Sequence, residues 1–146
     1  MTFDEALRHA TKLLAGRDKS SAQLAQALER KGASREVIEA TLERCRSLGY
    51  LDDRRLAVTL AREALEDGWV GEALSARLEA KGFAAAVVTE AIATAQAAAG
   101  TSLRERARAL VARKKVTGLK AARFLASRGF PEEEIEAVVG PDLAGD

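Results

Sequence analysis

One cysteine, one histidine and two prolines are all the chain contains of these residues, and each scarcity closes a class of function. With Cys45 alone, no disulfide can form within the chain, and a reducing compartment is the simpler setting. With His9 alone, no multi-histidine metal site can be assembled, and no plausible nucleophile partner is in view for a catalytic triad. Aromatic residues make up only 4% of the chain although 47% of it is hydrophobic. The apolar surface comes instead from 31 Ala and 18 Leu, the residues that head the helix-propensity scale. Alternating β-branched runs between hairpin turns are missing too. The expected class is therefore all-α. The start, Met1-Thr2-Phe3-Asp4-Glu5, is acidic where a secretory leader would be basic. No apolar run is long enough to cross a bilayer. Both features predict a soluble, cytoplasmic protein.

A formal net charge of +1 conceals a marked asymmetry. Residues 101–128 hold nine Lys and Arg against Glu105 alone, whereas residues 129–146 hold six acidic groups and no basic one. A strongly basic segment thus adjoins an acidic tail.

The chain repeats itself. Lys31-Gly32, Lys81-Gly82 and Arg128-Gly129 recur at intervals of 50 and 47 residues. Eight and four residues before each glycine stand Leu24 and Leu28, Leu74 and Leu78, then Ala121 and Leu125. Six and ten residues after it stand Ile38 and Leu42, Val88 and Ile92, then Ile135 and Val139. Fourfold spacing on both sides of a glycine describes two amphipathic helices joined by a tight turn, with the glycine as C-terminal cap. A further helix precedes each pair. Thr2 with Glu5, Ser20 with Gln23, and Ser102 with Glu105 have the spacing of capping boxes, and Leu51 with Leu56 that of a hydrophobic staple. Nine helices are predicted, near 3–16, 21–31, 35–47, 53–67, 71–81, 84–98, 103–115, 118–128 and 132–139. They make three three-helix repeats, at 1–52, 53–100 and 101–146. One such unit buries little by itself, so the units should stack into an elongated, curved array.

Signs of catalysis are few. Beside the apolar line Ala6, Ala10 and Leu13, His9 reads as a structural residue. Cys45 continues the line of Ile38 and Leu42 and reads as a small core side chain. Asp52 and Asp53 could form an acid/base or metal-binding pair, but adjacent carboxylates at a helix start are explained by capping and the helix dipole. Trp69, in the turn Asp67-Gly68-Trp69-Val70-Gly71, could stack on a base, yet reads more simply as a lid holding that turn onto its own helices. No phosphate-cradling loop is present. A non-enzymatic monomer without metal or cofactor is expected.

The basic segment stands out. On a helical wheel for 103–115, Leu103, Ala107, Leu110 and Val111 form an apolar face flanked by Arg104, Arg108 and Lys115, with Arg106 and Arg113 on the far side. Lys114, Lys120, Arg123 and Arg128 complete the nine cations. These nine are the candidate partner-binding residues, for nucleic acid or an acidic protein. The competing reading pairs them within the chain with Glu132, Glu133, Glu134 and Glu136.

Gly49-Tyr50-Leu51-Asp52-Asp53, followed by Arg54, Arg55, Leu56 and Ala57, together with the three repeats and their Lys-Gly turns, resembles the RecX family of bacterial recombination regulators. The run from Ala6 to Leu14, then Ser20, Leu24, Leu28 and Gly32, is similar to that family's first repeat. The resemblance implies a protein without catalytic activity that binds the RecA filament on single-stranded DNA. Such a protein lies in the filament groove and restrains its ATPase and strand exchange in recombination and DNA repair; any contact with DNA itself is weak. A different reading starts from the helix–turn–helix outline of each repeat's last two helices, that of a DNA-binding repressor. Against it, the third helices present Glu36, Glu39 and Glu43, an almost featureless Ala84–Ala99, and Glu132 to Glu136, which phosphate would repel.

Overall fold

Five of the helices begin one residue after a side chain whose oxygen caps them. Thr2, Ser20, Ser34, Asp52 and Ser102 each accept a hydrogen bond from the backbone N–H three residues further on. Each thereby satisfies an amide that the helix itself leaves unpaired. The structure, a computed structural model, describes residues 1–140; Asp142 and Asp146 of the acidic tail lie outside them. Its helices are α1 (Phe3–Gly16), α2 (Ser21–Arg30), α3 (Arg35–Ser47), α4 (Asp53–Glu66), α5 (Gly71–Glu79), α6 (Ala85–Ala99), α7 (Leu103–Lys114), α8 (Gly118–Ser127) and α9 (Glu132–Val139). No strand forms among the described residues.

Only Ser20 makes a full capping box, its backbone N–H receiving Gln23 Oε1 at 3.0 Å. At Thr2 and Ser102 the glutamate three residues on is met by the capping hydroxyl instead, at 3.2 Å in both cases.

The helices pack in threes, first against third and second against third within each unit. Alanine makes the closest pairing possible. Between α4 and α6, buried Ala57, Ala61 and Ala64 belong to the same cluster as buried Ala91 and Ala95, and small side chains let helix axes approach. The apolar interior is not divided evenly. Ala6, Ala10, Leu24, Leu28, Cys45 and Leu51 form a core of their own in the first unit, whereas the second and third units share one continuous core running from Ala57 to Ile135. Leu51 belongs to the first core and Leu56 packs on the second.

Hydrogen bonds at the turns link the units. At the first joint, Ser20 Oγ donates to the Lys81 carbonyl at 2.6 Å, and the Ser21 N–H donates to Asp53 Oδ1 at 2.8 Å. At the second, the Val70 N–H donates to the Arg128 carbonyl at 2.9 Å. In both, the backbone opening a unit's second helix rests on the glycine turn closing the second helix of the next. A Cβ on Gly82 would lie 2.5 Å from Ala22 Cβ, and one on Gly129 would overlap the Val70 carbonyl. The Lys-Gly and Arg-Gly anchors are joints as well as caps.

Gly32 separates these two roles. Its φ of +89° equals that of Gly82, but nothing lies within 4 Å of its Cβ position. Gly32→Ala should cost only the left-handed backbone penalty, about 1–2 kcal/mol. Gly82→Ala and Gly129→Ala should cost distinctly more in urea denaturation, and equal losses at all three would refute the close approach as a constraint. Asp52→Ala, which removes only the acceptor for the Arg55 N–H at 3.1 Å, should cost about 0.5–2 kcal/mol and leave partner binding per folded molecule unchanged.

Candidate partner-binding surface

Helix α7 places its cations by register. Ala107 and Leu110 are buried, with Leu103 and Val111 half-buried beside them, so the cations at intervening positions take the remaining faces. Arg104 lies on the side facing α9, and its Nε meets Glu134 Oε2 at 3.1 Å. Arg106 and Arg113, seven residues apart, face the end of α4. Arg106 Nη1 donates to the Leu65 carbonyl at 3.4 Å and Arg113 Nη2 to the Glu66 carbonyl at 3.1 Å. Two guanidinium groups thus supply donors to carbonyls at a helix C-terminus, where the helix dipole also favours positive charge.

Arg128 is absorbed into the second joint. Its guanidinium carbon lies 4.2 Å from the centroid of Trp69 and 5.1 Å from that of Phe124, while Arg77 approaches Trp69 at the same 4.2 Å. Arg128 Nε is buried and has no hydrogen-bond partner among the described residues. Its electrostatic partners are the ring faces, a contact worth about 0.5–2 kcal/mol. Trp69 therefore ties two units together, and the sequence pattern around it pointed only to a local lid.

Five of the nine predicted cations remain: Arg108, Lys114, Lys115, Lys120 and Arg123. All are exposed, and none has an ion-pair or hydrogen-bond partner among the described residues. They run from the second half of α7 through the turn into α8, where Lys120 and Arg123 share the solvent face. Lys115 is the one non-glycine residue with positive φ (+56°) among those described, at a C-terminal cap where glycine is the usual occupant. The pairing with the acidic helix extends to Glu134; Glu132, Glu133 and Glu136 hold no cation among the described residues.

The remaining candidates take structural places. Asp52 caps its own helix, whereas Asp53 accepts the Ser21 N–H of the preceding unit; no pattern within the sequence pairs residues 32 positions apart. His9 is half-buried on α1. No cluster of three or more His, Cys, Asp or Glu side chains suited to a metal ion occurs among the described residues. On the third helices, Glu39 pairs with Arg35, Glu43 with Arg46 and Glu90 with Arg54. No described helix is long and apolar enough to cross a membrane. Cys45 is fully buried, and burial pushes its thiol pKa up, keeping it protonated and unreactive. An aromatic disulfide reagent should label Cys45 only as fast as the protein opens, and in denaturant at once; rapid labelling of the native protein would contradict the buried placement.

With this geometry the chain can be set beside known proteins. The family model described as "RecX, first three-helix domain" matches residues 6–45. A regulatory protein RecX of Halorhodospira halophila is 32% identical over 138 residues, covering 91% of this chain and 86% of that protein. One from Syntrophotalea carbinolica is 40% identical over 89 residues, which is 60% of this chain and 58% of the relative. The crystal structure of RecX from Lactobacillus salivarius superposes with a TM-score of 0.76 over 94% of both chains at 14% identity, a likeness of fold. Shared architecture and near full-length sequence similarity agree, and the chain belongs to the RecX family.

Proposed function

We propose that this protein binds the RecA recombinase filament and restrains its ATPase and strand-exchange activities in recombination and repair, without catalysing a reaction itself. One observation carries the reading. Arg108, Lys114, Lys115, Lys120 and Arg123 form a run of exposed cations that the chain does not neutralise within its described residues. Unmatched charge of one sign attracts an acidic protein surface or a phosphate backbone and accelerates the encounter. Membership of a family whose members are named regulatory proteins agrees with a binding role. Contact with DNA alone would be weak and secondary, and the cytoplasm is where such a partner would be met.

The experiment follows from the division among the nine cations. Arg104, Arg106, Arg113 and Arg128 hold the fold together, so reversing them would confound binding with stability. Reversal of Arg108, Lys115 and Lys120 to Glu removes only charge that has no partner among the described residues. The triple variant should keep its melting temperature and lose co-sedimentation with RecA filaments on single-stranded DNA by about tenfold or more, equivalent to ~1.4 kcal/mol. Wild-type binding should weaken with salt, because exposed charges are screened within about 8–10 Å at physiological ionic strength. Undiminished inhibition by the folded triple variant would overturn the assignment of this surface.

A further inference from the structure

The two joints share a receiving surface, and the first unit carries a third copy of it that no described residue fills. In the second unit, the surface consists of Leu56, Thr59, Leu60 and Glu63 on α4 with Lys81 at the glycine turn, and it holds Arg17, Asp18 and Lys19 from the α1–α2 turn. In the third unit, Arg106, Ala109, Leu110 and Arg113 on α7 stand exactly 50 positions later. They hold Leu65 and Glu66 from the end of α4 and Gly68 from the α4–α5 turn. The buried alanines align α1 with α4 at 51 positions, Ala6 with Ala57 and Ala10 with Ala61. The counterparts in the first unit are therefore Glu5, Arg8, His9 and Lys12, with Lys31 at the turn. Those five residues line one groove of about 820 Å³, whereas the grooves left beside the filled seats measure about 330, 420 and 440 Å³.

The vacant seat has the same form as the filled ones. Gly32 already holds the φ of Gly82, +89° in both, with open space over it. The carbonyls of Lys81 and Arg128 each receive a hydrogen bond from the visiting turn. The Lys31 carbonyl, their counterpart, receives none among the described residues. Arg8, Lys12 and Lys31 are exposed and likewise unpaired among those residues.

We infer that this groove is a docking site for a partner protein, and that its occupant is the C-terminal turn of an acidic helix. Charge identifies the occupant. Lys12 stands where Arg113 stands in the third unit, and Arg113 donates to a helix C-terminal carbonyl of a turn bearing Glu66 and Asp67. Arg8 and Lys31 add two further cations against Glu5 alone, so the seat is matched to a visitor of negative charge. A second copy of this chain fits poorly. Its own turn at the corresponding place carries Arg113, Lys114 and Lys115, and like charges would face one another.

The probe is a labelled alanine-rich peptide, helical in solution, ending Glu-Glu-Asp-Gly. Its binding to the full chain is followed by fluorescence anisotropy. Wild type should bind it, Arg8→Glu/Lys12→Glu should weaken binding about tenfold or more at unchanged melting temperature, and Lys12→Arg should retain it. A matched peptide ending Arg-Lys-Lys-Val-Thr-Gly should not bind. Failure of the acidic peptide to bind wild type, equal binding to the double variant, or preference for the basic peptide would each overturn the inference; the last would point to head-to-tail association of copies. Neither RecA nor DNA is present in the assay, so this result and the fate of the filament-binding reading are separable.

Discussion

The array depends on the glycine turns that close the second helices of the second and third units, because there the preceding unit comes close enough to hydrogen-bond with them. The first and second units keep separate apolar cores, so their joint relies on a few contacts of high directionality. A carbonyl at the end of a helix has no partner of its own, and burying it unpaired would cost about 1–3 kcal/mol. Lys81 and Arg128 escape that cost because Ser20 Oγ and the Val70 N–H reach their carbonyls at 2.6 and 2.9 Å. Neither approach would be possible past a Cβ.

The two joints are reinforced differently. The first separates two apolar cores and is held by polar groups, with Asp53 serving the N-terminus of a helix in the neighbouring unit. Trp69 between Arg77 and Arg128, and the carbonyl contacts of Arg106 and Arg113, lie along the second, over a continuous core. Cations of the basic segment are thus consumed in holding the third unit to the second. What this leaves exposed is a smaller and better-defined run of charge, ending at a lysine kept in a left-handed conformation.

Periodicity and capping chemistry made the helices legible. Every predicted helix end falls within two residues of the observed one, because an amphipathic spacing and an Asp, Ser or Thr before it are local signals that need no knowledge of the rest of the chain. The internal repeat was equally plain, since its anchors recur at nearly constant intervals. Nine candidate cations were also identified, as charge of one sign concentrated over 28 residues is visible in composition alone.

What lay beyond the sequence was the fate of each cation and carboxylate, because that depends on which turn meets which helix. Arg104 and Arg108 are alike on a helical wheel, yet Glu134 lies beside the first and no acid among the described residues pairs with the second. Asp52 and Asp53 are adjacent and identical in chemistry, yet one caps its own helix and the other a helix 32 residues earlier. The chain's own pattern determined nine helices, their triple repeat and the site of its excess charge, all properties of neighbours in sequence. Only the tertiary structure decided which charges are structural, which stay unpaired among the described residues, and that the first unit repeats the joint surface with none of those residues seated on it, because those depend on contacts between residues tens of positions apart.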